Sequence, residues 1–231
     1  MKPIAIMQPT YLPWPGYFNL IHKSDVFIFL ENTKFEKSSW QHRNYILIKE
    51  KPKLITVPVQ GSRLQDIKDV KINYNTNWQK KHSVSILDNY KHHPHGMDIL
   101  NVVLPIIQRD DIIYLKDLNY LLINGICKYL GIEVDFRFDS EFPTNSSKSK
   151  KILEICNLFN TRNYISPIGS KEYIEKERHL SEGNISITYQ KTEFKQYYQH
   201  KISKFVPYLS ILDLIANLGQ KKSLEYISDN Y

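Results

Sequence analysis

The sequence predicts an α/β fold with a mostly parallel sheet, and three observations carry that prediction. Ile4-Ala5-Ile6-Met7 is a near-continuous apolar run, the pattern of a strand buried on both faces. Asp25-Val26-Phe27-Ile28-Phe29-Leu30 repeats it after a proline-rich loop and a short helical segment, Gly16 to Ser24. Strand, loop, helix and strand within about thirty residues make a βαβ unit of a parallel sheet. Gly131 then closes a long helical pattern and opens Ile132-Glu133-Val134-Asp135-Phe136, a helix-to-strand entry. The sheet is therefore Rossmann-like, and the chain 1–231 reads as one domain with a helical segment at about 77–130.

The remaining elements follow in order. Tyr45-Ile46-Leu47-Ile48 and Leu54-Ile55-Thr56-Val57-Pro58-Val59 flank a turn at Lys49-Glu50-Lys51-Pro52-Lys53, which predicts an inserted β-hairpin. Gly61 to Asp69 is a loop, and Val70-Lys71-Ile72 a short edge strand. From Asn77 the pattern turns helical, because Trp78, His82, Ile86 and Tyr90 recur every four residues on one face. Met97 to Gln108 and Ile112 to Leu130 complete a helical bundle. Thr144 to Lys148 is a loop with its own capping serines, and Ile152 to Asn160 a helix. Asn163-Tyr164-Ile165-Ser166 is a strand that feeds the small loop Pro167-Ile168-Gly169-Ser170. Lys171 to His179 is helical, and Ile185 to Tyr189 is the last strand. Ser210 caps a final helix that Gly219 stops.

Composition narrows the function. Apolar content of 42% with 24% charged residues suits a globular protein with a substantial core. A net charge of +7 favours anionic partners, yet the lysines are scattered apart from Lys148-Ser149-Lys150-Lys151, so no long basic tract argues for nucleic acid. Sixteen tyrosines and three tryptophans suit carbohydrate or nucleotide sites as well as β-rich cores. Cys127 and Cys156 sit in apolar helical contexts and read as buried free thiols. No signal peptide and no membrane-spanning run is seen, which predicts a cytoplasmic protein.

Two stretches stand out chemically. Gln8-Pro9-Thr10-Tyr11-Leu12-Pro13-Trp14-Pro15-Gly16-Tyr17 links the first strand to the first helix, and its prolines leave it few conformations. Ser38-Ser39-Trp40-Gln41-His42-Arg43-Asn44 follows the second strand, at the end of a parallel sheet where ligands bind. Arg43 offers a planar fork for phosphate or carboxylate, and Trp40 a surface for a base or sugar. His82 is either a satisfied core histidine or a general base. His92-His93-Pro94-His95 lacks partners at zinc-like spacing, so no metal site is assigned. Lys201-Ile202-Ser203-Lys204 is a weak phosphate-loop pattern, and no Walker loop, Gly-x-Gly-x-x-Gly or Gly-x-Ser-x-Gly occurs.

Taken together, Gln8-Pro9-x-Tyr11-Leu12-Pro13-Trp14-x-Gly16-Tyr17-Phe18, Phe35-x-Lys37-x-Ser39-Trp40-Gln41-x-Arg43-Asn44, Leu54-x-Thr56-Val57-Pro58-Val59, Trp78-x-x-Lys81-His82 and Pro207-x-Leu209-Ser210-Ile211-Leu212-Asp213 closely resemble the WbqC-like protein family. The resemblance spans nearly the whole chain. His42, in place of an asparagine-like residue, and the histidines at 92–95 depart from the pattern. The resemblance implies a bacterial protein of O-antigen or capsule loci, where nucleotide-activated amino sugars are built and acylated. There is also a distant likeness to nucleotidyltransferase-type α/β folds. Their His-x-Gly-His signature would fall on Trp14-Pro15-Gly16-Tyr17, where both histidines are absent.

The expectation is an acyl- or aminoacyltransferase modifying the amino group of a nucleotide-linked amino sugar. His82 is its candidate base and Gln8 positions the reacting group. Pro9, Tyr11, Trp14, Gly16, Tyr17, Trp40, Gln41, Arg43, Asn44, Trp78 and Lys81 are its candidate substrate-binding residues. The donor would be a thioester or an ATP-activated acid, with an acyl-carrier protein as a candidate partner and no metal. The first alternative is an ATP-dependent nucleotidyltransferase or adenylating enzyme holding triphosphate at Ser166, Gly169 and Ser170 or at Lys201 and Lys204. The second is a non-catalytic sugar-nucleotide-binding subunit.

Overall fold

Alternation within each central strand decides which helix layer it meets. Ile4, Ile6, Val26, Ile28 and Tyr164 point to one face of the sheet, and Ala5, Phe27, Phe29 and Ile165 to the other. Both sets are buried, so the sheet is a middle layer between two layers of helices. The computed structural model describes residues 3–61, 64–142, 144–191 and 195–229. Ser62 and Arg63 of the expected Gly61–Asp69 loop lie outside the described residues.

Five parallel strands form the central sheet: β1 (Ile4–Met7), β2 (Val26–Phe29), β7 (Asp135–Phe138), β8 (Asn163–Ser166) and β9 (Ser186–Tyr189). Their order in space is β7-β2-β1-β8-β9. The chain runs outward from β1 through β2 to β7, crosses back to β8 on the other side of β1, and continues to β9. Connections from β1 and β8 thus leave in opposite directions. That divergence opens a crevice above their carboxyl ends, the usual ligand position in open α/β sheets.

Helix α1 (Pro15–His22) links β1 to β2, and the proline at its first position costs no hydrogen bond. The long crossover from β2 to β7 carries the hairpin β3 (Arg43–Ile48) and β4 (Lys51–Thr56), a small β5 (Val59–Gln60) and β6 (Lys71–Ile72) pair, and three helices. These are α2 (Trp78–Tyr90), α3 (Gly96–Ile107) and α4 (Leu115–Leu130). Trp78, His82, Ile86 and Tyr90 form the buried face of α2, as their spacing requires. Gly131 ends α4 at φ 76°, a left-handed position that favours glycine. Helix α5 (Lys148–Leu158) leads to β8, α6 (Lys171–Glu177) and α7 (His179–Glu182) lead to β9, and α8 (Ile211–Asp229) closes the chain. No helix among the described residues is long and apolar enough to cross a membrane.

Some boundaries differ from the expectation. The hairpin turns on Lys49 and Glu50 alone, both at positive φ, and Lys51 and Pro52 belong to β4. Pro52 is tolerated because the hairpin is an isolated two-stranded ribbon whose strands are both edges. Helix α5 starts at Lys148 rather than Ile152, so the basic cluster is its first turn. Gly219, at φ 74° and outside helical geometry, ends the first part of α8 as expected, the His95 ring lying where a Cβ would stand, and a second helical part continues to Asp229.

Candidate functional site

The loop after β1 is held by side chains whose amides reach its main chain. Asn44 Nδ2 donates to the carbonyls of Tyr11 (3.2 Å) and Leu12 (2.8 Å), where Leu12 sits at φ 43°. Asn119 Nδ2, reaching in from α4, donates to the carbonyls of Pro9 (3.2 Å) and Gln41 (2.7 Å). Tyr17 hydroxyl donates to the Gln8 carbonyl at 2.9 Å, and Tyr11 N–H to the Trp40 carbonyl at 3.2 Å. A loop whose carbonyls would otherwise be orphaned is thereby fixed against the segment that precedes β3. Gln41 Nε2 then donates to Gln8 Oε1 at 2.9 Å, joining the two stretches side chain to side chain.

These stretches form one wall of a cavity of about 340 Å³ above the carboxyl ends of β1, β2 and β8. Gln8, Thr10 and Trp14 line it from the β1 loop, and Ser39, Trp40 and Gln41 from the segment before β3. Trp40 is 45% exposed and leans on Tyr45, while Trp14 meets Tyr17 edge-on. Ile6, Leu30, Ile152, Ile155 and Tyr164 make an apolar floor. The opposite wall is the start of α5, with Ser146, Ser147, Lys148 and Lys151, and the β8 side adds Pro167, Ser170 and Tyr173.

Of the expected site residues, Gln8, Trp14, Trp40 and Gln41 meet at this cavity, and Ser170 joins from the alternative phosphate set. The others sit outside its lining. Tyr11, Tyr17 and Pro9 are buried beneath it, and Gly16 lies in the first turn of α1, where its carbonyl accepts from Gln190. Asn44 is a buried clamp of the loop. Arg43 is half-buried, and its guanidinium donates to the Ser38 carbonyl instead of facing the cavity. Lys81 is exposed on α2, Gly169 is exposed beyond β8, and Ser166 is buried within that strand. Lys201 lines a separate cavity with His92, His93 and His200.

His82 is placed as a core histidine. Its Nδ1 is 2.9 Å from the Tyr11 hydroxyl, its ring meets Trp78 edge-on, and it does not line the cavity. Burial lowers its pKa to about 4, with the Thr56 carbonyl pulling weakly the other way. A base must reach the proton it removes, and the ring's partners are Tyr11 and Trp78, neither of which lines the cavity. Both thiols are buried, and burial pushes that of Cys156 up to about 12. Neither lines the cavity.

The residues missed by sequence reasoning are on the α5 wall. Lys151 is 8% exposed and its ammonium pairs with the fully buried Asp139 carboxylate. Asp139 Oδ1 also accepts the main-chain N–H groups of Glu31 (2.7 Å) and Asn32 (3.0 Å), so one carboxylate fixes both the loop after β2 and the lysine. The signal was present as the single basic cluster at 148–151. Its place in the cleft depends on Asp139 and Asn32, which no local pattern links to it.

Comparison with known proteins adds a family. The WbqC-like protein family profile matches residues 8–225. The uncharacterized protein Rv1507c of Mycobacterium tuberculosis is 33% identical over 221 residues, covering 95% of each chain. The match runs from the loop that forms one wall of the cavity to the last turns of α8, and the chain belongs to the WbqC-like protein family.

Proposed function

We propose that the protein is a transferase of bacterial polysaccharide assembly that holds a nucleotide-linked amino sugar in this cleft and places an acyl or aminoacyl group on its amino nitrogen. One observation carries the reading: the cavity lies where connections from β1 and β8 diverge, and both Trp14 and Trp40 line it. Two indole faces beside an apolar floor suit a base and a sugar ring. The linked amides of Gln8 and Gln41 offer paired donors and acceptors for sugar hydroxyl or amide groups.

The donor in this reading is a thioester or an ATP-activated acid. The substrate ammonium gives up one proton to become the free amine, its nitrogen attacks the donor carbonyl, the carbon–sulfur or carbon–oxygen bond breaks, and the nitrogen loses a second proton as the amide forms. No imidazole or carboxylate among the described residues lines the cavity, so the two protons go to solvent and to the leaving group. Calorimetry with UDP-, dTDP- and GDP-linked amino sugars tests the binding step, and mass spectrometry of the sugar with acyl donors tests the transfer. Saturable binding that Trp40→Ala weakens about tenfold is expected. Binding that Trp40→Ala and Gln8→Ala leave unchanged overturns the assignment of the site.

The sheet order favours a second reading, an adenylating or nucleotidyl-transferring activity, because the same crevice receives mononucleotides in related topologies. Pyrophosphate release from ATP in the presence of an acid separates the two. Sugar-nucleotide binding without turnover of any donor selects the non-catalytic subunit instead.

A further inference from the structure

We infer that Lys151 and Lys148, on the α5 wall, form an oxyanion subsite for the phosphoanhydride of the bound ligand. The inference rests on the proposed nucleotide-linked substrate for its biological ligand, but the subsite stands or falls on its own chemistry. Charge at the cavity is one-sided. Among the described residues that line it, Lys148 and Lys151 are the charged ones, and no Asp or Glu lines it. Each ammonium has its carboxylate partner outside the lining, Asp139 for Lys151 and Glu177 for Lys148, so the cavity surface itself turns cations toward a bound anion.

Lys151 is the centre of the subsite. A lysine nine-tenths buried is costly to hold in its charged form unless it is paired. Asp139 supplies the pair, and the Asn32 carbonyl lies 3.4 Å from the ammonium. An ammonium carries three protons, and the described residues supply these two acceptors. Asp139 is itself engaged by two main-chain N–H groups, so it is a fixed counter-ion that holds Lys151 at the cavity wall. The first turn of α5 offers no free donor at Ser149, whose N–H is taken by Glu177 at 3.1 Å.

Lys148 supplies the second charge. It is exposed, its ammonium is a loose 3.6 Å from Glu177, and its backbone is left-handed at φ 53°. A left-handed lysine is strained where a glycine would not be, so stability alone does not favour this residue here. That strain also provides a clean variant. Lys148→Gly removes the charge while relieving the backbone, and the protein should fold at least as well. Asp139→Asn with Lys151→Met in one chain removes the buried pair together, leaving no lone buried charge.

Inorganic pyrophosphate is the probe, titrated calorimetrically into the full chain at low salt, with sugar nucleotides in parallel and thermal melts confirming the fold. Pyrophosphate is expected to bind the wild type, about tenfold more weakly to Lys148→Gly, and below detection to the double variant. Lysine-dependent pyrophosphate binding without any sugar-nucleotide binding upholds the subsite and overturns the proposed substrate. Sugar-nucleotide binding that both variants leave unchanged overturns the subsite and leaves the substrate reading standing. Failure of pyrophosphate to bind the wild type overturns the subsite.

Discussion

The two walls of the cleft are secured by opposite means. The β1 loop wall is held by neutral groups: Asn44 and Asn119 amides on main-chain carbonyls, the Tyr17 hydroxyl on Gln8, and the Tyr11–His82 contact below. The α5 wall is held by charge, through Lys151 and Asp139. Neutral amide clamps fix geometry at little electrostatic cost, and they suit a surface that orients a ligand. A buried ion pair is expensive to assemble and expensive to break. It suits a wall that must present a cation.

If the walls differ in this way, single substitutions should separate them. The largest effect is expected at Asp139→Ala, which strands the Lys151 ammonium and two main-chain N–H groups. A loss of about 3–5 kcal/mol in denaturant-derived stability is expected. A loss below about 1 kcal/mol would mean that the pair is no anchor of the α5 wall.

The β1 wall should instead show acid lability through His82. Its folded pKa, about 4, lies below the ordinary 6.5 because burial disfavours the imidazolium. Its contribution is therefore present above pH 6.5 and is lost as pH falls toward 4. The pKa difference is worth on the order of 3 kcal/mol. Denaturation curves across that window should show the loss in the wild type and a smaller one in His82→Gln. Equal slopes would contradict the buried, neutral assignment. Asn119→Ala is expected to have the smallest effect, about 2 kcal/mol, because the carbonyls of Pro9 and Gln41 lose their donor. The same denaturation measurement checks it, and an unchanged midpoint would remove Asn119 from the clamp.

Legibility in the sequence divides along the same line. The β1 wall announces itself locally, because prolines, aromatics and a glycine after an apolar strand specify a stiff loop wherever it folds. The parallel sheet was legible for the same reason, since fully apolar strands and their βα turns are short-range patterns. The α5 wall was not legible. Lys148 to Lys151 stood out as a basic cluster, but Asp139 meets Asn32 across 107 residues of chain and Lys151 meets it across 119. His82 shows the converse limit. Helical spacing correctly put it on the buried face of α2, and that burial is what keeps it from the cleft. Arg43 was chosen for its charge, yet as the first residue of β3 its side chain turns to the Ser38 carbonyl.

The crevice between β1 and β8 is the site proposed to hold a nucleotide-linked sugar. Calorimetric titration of the wild-type chain and Trp40→Ala with UDP-, dTDP- and GDP-linked amino sugars tests it most directly. Trp40 is 45% exposed and leans only partly on Tyr45, so its loss should leave the fold intact. One saturable site in the wild type and about tenfold weaker binding in Trp40→Ala are expected. No saturable heat with any of these ligands, or equal affinity in the two proteins, would contradict it.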